Sequence, residues 1–216
     1  MSTDEVIKRL AKEYQGMGCG LNFQSPFELL ISTMLSAQTT DISVNKATEK
    51  LYKIYNTPYD FAKLTTDELE PYIKSLGLYK NKAKNIINAS KKIVEDFNGS
   101  VPETMEELTS LPGVGRKTAN VVMANAFGKD AIAVDTHVFR VSNRIGLANA
   151  SNVDQTEKQL MNCIPKSMWS DMHHYIIWHG RKICSSRNPK CLECVVKEYC
   201  NYYNKEGVRW VKSSKF

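Results

Sequence analysis

Nowhere in the 216 residues does an apolar run approach the ~18 residues that a membrane span requires. The N-terminal stretch MSTDEVIKRLAKEY is charged throughout and lacks the apolar segment of roughly 7 to 15 residues that an export signal carries. The chain is therefore expected to stay inside the cell and not to be secreted. A reducing interior in turn argues against three disulfides among the six cysteines, which leaves them for metals or chemistry. Also missing are alternating strand patterns, an internal repeat of solenoid period, low-complexity stretches and any long flexible linker. These absences set aside sheet, repeat and disordered architectures.

What remains is helical. Apolar residues recur at helical spacing in Val6, Ile7, Leu10 and Tyr14, in Phe27, Leu30, Ile31, Met34 and Leu35, and in Ala83, Ile86, Ile87, Ile93 and Val94. Hydroxyl residues followed three places later by an acid mark helix starts at Ser25, Thr65 and Thr104. Stops are expected at Asn98-Gly99, Gly128, Gly146 and Gly180. The predicted fold class is all-α, and 42% hydrophobic content over this length allows one large domain or two sharing an interface. A formal charge of +6, from 29 Lys and Arg against 23 Asp and Glu, favours an anionic partner without identifying it.

Two segments carry candidate chemistry. In Leu111-Pro112-Gly113-Val114-Gly115-Arg116-Lys117, two glycines one residue apart strip the turn of side chains, so amides at the next helix start can approach an anion. Lys117 then stands in the first helical turn, beside Arg116. A lysine near its usual pKa of about 10.4 is a poor nucleophile at neutral pH; like charge, the helix dipole and desolvation all lower it. From position alone, Lys117 is as well suited to holding a phosphate as to attacking a carbon. Asp135, in Val134-Asp135-Thr136-His137, follows an apolar run and precedes a helix, which first reads as an N-cap. A cap uses one carboxylate oxygen and leaves the other for chemistry. His137, His173, His174 and His179 show no ligand or nucleophile spacing and read as packing or hydrogen-bonding residues.

The run Cys184-x6-Cys191-x2-Cys194-x5-Cys200 gathers four thiols within 17 residues. One C-x2-C pair flanked by lone cysteines suits an iron-sulfur cluster at least as well as zinc. Around it, Arg181, Lys182, Arg187, Lys190 and Lys197 offer cations to phosphates. Cys19 and Cys163 read as buried thiols apart from the run, and Lys205, Arg209, Lys212 and Lys215 as a solvated basic tail.

Taken in order, the hairpin, the VDTH segment and the cysteine run resemble the iron-sulfur, endonuclease III branch of the helix-hairpin-helix DNA glycosylase superfamily. Ser25 to Leu30, Leu35 to Asp41, Gly77-Leu78-Tyr79, Leu111 to Val122 and Val134 to Arg140 carry the resemblance over nearly the whole chain. It implies a six-helix barrel domain over residues 20–130 and an iron-sulfur cluster domain made of 1–19 and 131–216. It implies a [4Fe-4S] cluster on Cys184, Cys191, Cys194 and Cys200. The activity implied is bifunctional: removal of oxidised or ring-saturated pyrimidines through a Lys117 Schiff base assisted by Asp135, then β-elimination 3′ of the abasic site. The implied partner is double-stranded DNA with damaged pyrimidines or abasic sites, bound by a monomer in the cytoplasm alongside the nucleoid. Gln38 and Leu78 would enter the duplex, while Gly113, Gly115, Arg116 and Lys190 would contact it. A purely hydrolytic mismatch glycosylase is the alternative, and such relatives typically lack the hairpin lysine.

Overall fold

The computed structural model describes residues 2–205, so Arg209, Lys212 and Lys215 lie outside the described residues. Eleven α-helices follow in order: α1 (Thr3–Tyr14), α2 (Pro26–Leu35), α3 (Asp41–Leu51), α4 (Pro58–Lys63), α5 (Thr66–Ile73), α6 (Tyr79–Phe97), α7 (Met105–Thr109), α8 (Arg116–Phe127), α9 (Thr136–Ile145), α10 (Val153–Cys163) and α11 (Trp169–Lys182). Among the described residues there is no strand, so the all-α expectation holds. None of the described helices is long and apolar enough to cross a membrane.

The chain divides into two compact units. One is Cys19–Lys129; the other joins the N-terminal residues up to Gly18 to the chain from Asp130 onward.

Within the Cys19–Lys129 unit, α2 is buried on every side from Phe27 to Leu35, which a helix tolerates only at the centre of a core. Its polar groups are therefore satisfied internally. Ser25 Oγ accepts from the Glu28 amide at 3.2 Å, and the Glu28 carboxylate accepts from the Gln24 amide at 2.6 Å. Thr33 Oγ1 donates to the Leu29 carbonyl at 2.7 Å. Both α4 and α5 begin with complete capping boxes, on Thr57 with Asp60 and Thr65 with Glu68. The apolar stripe of α6, including Ala83, Ile86, Ile87 and Ile93, is buried, and α6 packs against α4 and α5 while α8 packs against α2 and α7.

The other unit is built from both parts of the chain. Val6, Ile7, Leu10 and Tyr14 of α1 share a core with Val138, Val141 and Ile145 of α9 and Met172 and Ile176 of α11. Arg9 fastens α1 to the 195–199 segment, donating to the Val195 carbonyl at 3.1 Å and lying 4.9 Å from the Tyr199 ring centre.

Gly128 and Gly146 cap α8 and α9 in the left-handed region, as expected, and Asn98 does the same for α6. Gly180 does not end a helix. It lies buried inside α11, where an added Cβ would come within 3.0 Å of Val141 Cγ2 and 3.1 Å of His137 Nδ1. Its role is close helix approach, which a linear pattern cannot distinguish from a stop.

Candidate functional site

The hairpin between α7 and α8 is anchored by its apolar residues: Leu111 and Val114 are buried, while Gly113, Gly115, Arg116 and Lys117 are exposed. Gly113 has φ +78, and a Cβ there would sit 2.7 Å from Asn85 Cβ on α6, so both backbone and space demand glycine. Gly115 differs. It is extended (φ −98, ψ 175), caps α8, and a Cβ on it would meet nothing within 4 Å. Its bareness serves no packing purpose and leaves the first-turn amides of α8 open to an anion. Arg116 and Lys117 occupy the first two positions of α8, whose first turn has no acid. Cations there oppose the helix dipole, so helix stability does not explain them.

Asp135 caps α9 in the other unit, its Oδ1 accepting from the Val138 amide at 2.7 Å. The cap reading is thus correct, and it occupies one of the two oxygens. Buried Ala131, Ile132, Ala133 and Val134 lead into it and fix its backbone. Gln38 lies exposed in the turn after α2, and Leu78 precedes α6 with 57% of its surface exposed. Both have left-handed backbones, φ 54 and φ 61. Lys190 is exposed and its Nζ lies 3.9 Å from Glu193 Oε2, a surface pair of little strength.

The four clustered cysteines converge. Cys184, Cys191, Cys194 and Cys200 line one small pocket, walled by Ile145, Ile183, Pro189, Tyr202 and Tyr203. All four are unpaired thiols. Among the described residues no three His, Cys, Asp or Glu side chains gather around a single ion position. Four thiols around one pocket offer one thiolate to each iron of a four-iron cluster. Burial pushes the Cys194 thiol up to about 12 and also raises Cys191 and Cys200. Thiolates in this apolar pocket therefore need the positive charge that iron supplies.

Residues that spacing did not assign surround this pocket. Arg140 donates to the Cys184 carbonyl from Nε at 3.1 Å and Nη2 at 3.0 Å, and to the Gly180 carbonyl at 3.1 Å. Arg144 donates to Ser185 and Ser186 carbonyls at 2.6 and 2.9 Å and approaches Cys184 Sγ at 3.7 Å. Their i, i+4 spacing on α9 was the available signal. His179 is fully buried, with Nε2 3.4 Å from Cys194 Sγ and Nδ1 3.0 Å from Tyr14 Oη; burial lowers its pKa to about 4. His173 Nδ1 donates to the Ala133 carbonyl at 2.7 Å. The histidines therefore do the hydrogen-bonding work expected of them. Cys19 and Cys163 are half-buried rather than buried, because Cys163 closes α10 beside the Leu147 carbonyl and Cys19 lies in a loop.

Comparison with known proteins gives the chain's relatives. The family described as HhH-GPD superfamily base excision DNA repair protein matches residues 31–166, and the iron-sulfur binding domain of endonuclease III matches residues 184–200. Endonuclease III of Escherichia coli (strain K12) is 49% identical over 204 residues, covering 94% of this chain and 97% of that protein. A solved structure of a trapped endonuclease III-DNA covalent intermediate superposes with a TM-score of 0.90 at 44% identity, over 96% of this chain and 99% of that one. A thermostable thymine-DNA glycosylase is more distant, with TM-score 0.86 and 26% identity over 94% and 97% of the two chains.

Proposed function

The chain belongs to the HhH-GPD superfamily of base excision DNA repair proteins, as a homologue of endonuclease III, and from that premise we propose how its residues act. It is a DNA glycosylase with AP lyase activity that carries a [4Fe-4S] cluster. The substrates are oxidised or ring-saturated pyrimidines in duplex DNA, whose weak stacking and pairing lower the energy of extruding them. Lys117 is the nucleophile. Its unprotonated Nζ bonds to the sugar C1′ as the C1′–base bond breaks, and the base leaves with that electron pair and the proton the amine sheds. The sugar ring opens to an iminium as O4′ takes a proton from water. That cation acidifies the C2′ proton, whose loss breaks the 3′ carbon–oxygen bond. Asp135 keeps one oxygen on its cap and offers the other to the amine and the cationic sugar.

One observation carries the reading: Lys117 stands exposed in the first turn of α8, directly after a hairpin whose Gly115 is bare for no packing reason. The hairpin amides, Arg116 and Lys190 hold phosphates, which position without reading sequence. Gln38 and Leu78 enter the stack and offset part of the extrusion energy. Cys184, Cys191, Cys194 and Cys200 would hold the cluster, which when bound ties four points of the 184–200 segment together. The enzyme works as a monomer in the cytoplasm.

Borohydride trapping on abasic-site DNA tests the proposal. Wild type yields a covalent adduct and Lys117→Gln yields none while still binding duplex. An adduct retained in Lys117→Gln, or none in wild type, refutes Lys117 and favours the hydrolytic alternative.

A further inference from the structure

Among the described residues four non-glycine residues have positive φ, and two of them are Gln38 and Leu78. A left-handed backbone costs a side-chain-bearing residue on the order of 1–2 kcal/mol, and such strain persists only where neighbours impose it. One residue reaches both places, through its backbone at Leu78 and through its side chain at the Gln38 turn. Lys82 lies one turn into α6, its amide donating to the Leu78 carbonyl at 3.1 Å. Its side chain is buried, only 6% exposed, and its Nζ donates to the Leu35 carbonyl and to Thr39 Oγ1, each at 2.9 Å.

Those two oxygens bracket the Gln38 turn. Leu35 ends α2, where the carbonyl end of the helix dipole favours a cation. Thr39 accepts from Lys82 and donates its own hydroxyl to the Ala37 carbonyl at 3.3 Å, closing a loop around Gln38. Both oxygens are neutral, so burial is uncompensated by a counter-charge here and lowers the Lys82 pKa. A buried ammonium held only by two neutral acceptors is an expensive way to fix a turn. Something other than stability selects it.

We infer that Lys82 is a positioning residue, a buried brace that sets the turn bearing Gln38 and the helix start bearing Leu78 in fixed relation, so that both side chains meet the duplex together. This rests on the reading that Gln38 and Leu78 enter the DNA.

The test compares single-turnover excision of a ring-saturated pyrimidine from duplex with lyase turnover on an abasic site in single-stranded DNA, where no stack must be opened. In Lys82→Met, which keeps the stem and removes the donors, the duplex-to-single-strand rate ratio falls about tenfold, as for one lost charged hydrogen bond. Thr39→Val, which spares the core, moves the ratio the same way by roughly threefold and keeps the inference testable if Lys82→Met folds poorly. In a Gln38→Ala, Leu78→Ala background, Lys82→Met changes the ratio by less than about twofold, because the groups it positions are gone. Fluorescence of 2-aminopurine opposite the lesion falls in parallel. Equal loss on both substrates marks a structural role and overturns the inference, as does full additivity with the double variant. If Gln38→Ala and Leu78→Ala leave the ratio at its wild-type value, the underlying DNA-insertion reading fails first and the inference with it.

Discussion

Replacing Gly113 and Gly115 one at a time by alanine should separate folding from grip. At Gly113 the substitution meets two penalties. A side chain at φ +78 costs about 1–2 kcal/mol, and a Cβ placed 2.7 Å from Asn85 Cβ confronts the root of a side chain, whose relief requires α6 or the hairpin to shift, adding about 1–3 kcal/mol. A total near 3 kcal/mol lowers the melting temperature by roughly 6–12 °C, at about 2–4 °C per kcal/mol for a chain of this size. At Gly115 the extended backbone admits alanine, no atom lies within 4 Å, and the loss of a glycine cap is offset by reduced freedom of the unfolded chain. Its melting temperature should stay within about 2 °C of wild type. A methyl group there, however, stands where a phosphate would approach the α8 amides. Affinity for duplex containing a non-cleavable abasic analogue, measured by anisotropy, should weaken about tenfold, and the slope of log affinity on log salt should flatten by roughly one contact. Scanning calorimetry and titration at two salt concentrations read both quantities. Unweakened DNA binding by Gly115→Ala would refute the phosphate role of the hairpin, and an unshifted melting temperature for Gly113→Ala would refute the packing argument.

Asp135→Asn keeps a competent cap, so stability should change by less than about 0.5 kcal/mol while excision falls by at least a hundredfold; equal loss of both would reduce Asp135 to a cap. Removing the cluster by oxidation and chelation should make the unit containing α1 and α11 protease-sensitive, with cleavage in the 184–200 segment, since ligand binding there is folding energy. Gly180→Ala gains about 1 kcal/mol of helix propensity but overpacks Val141 and the Arg140 guanidinium by more, for a net loss near 1 kcal/mol; a rise in melting temperature would contradict this. The Thr57 hydroxyl and amide bonds hold the Asp60 carboxyl below its usual range, so this cap contributes fully above pH ~4 and is lost as pH falls through the lower folded value. Thr57→Ala removes the hydroxyl donor and keeps the amides, so it should weaken that acid dependence, visible in the titration of the Asp60 carboxyl carbon by NMR.

Features that depend on near neighbours in sequence were legible. Ser25, Thr65 and Thr104 cap helices through partners three residues away, and Asp135 does likewise. The hairpin glycines and the cysteine run were legible for the same reason, since a turn and a ligand loop are local. Gly180 was misread because only α9, some forty residues earlier, explains it. Lys82 sits in the run Lys80-Asn81-Lys82-Ala83-Lys84 and looks like one more solvated lysine; only the turn after α2, over forty residues away, makes it a buried donor. The left-handed backbones of Gln38 and Leu78 carry no glycine to announce them.

The clamp between Arg9 and the Val195 carbonyl sets an order of events during synthesis. The segment 19–129 is complete on the ribosome and free to fold while α1 still lacks the residues that cover Val6, Ile7, Leu10 and Tyr14. The 71 residues from Lys129 to Cys200 take roughly 4–14 s to translate at about 5–20 residues per second. For that interval the oldest helix waits for the youngest segment, and the last cysteine to emerge is also the last needed for iron to be held. A ribosome stalled before Cys200 should therefore bear a folded middle and a protease-sensitive N-terminus, so iron loading becomes the closing step of biogenesis rather than an early scaffold.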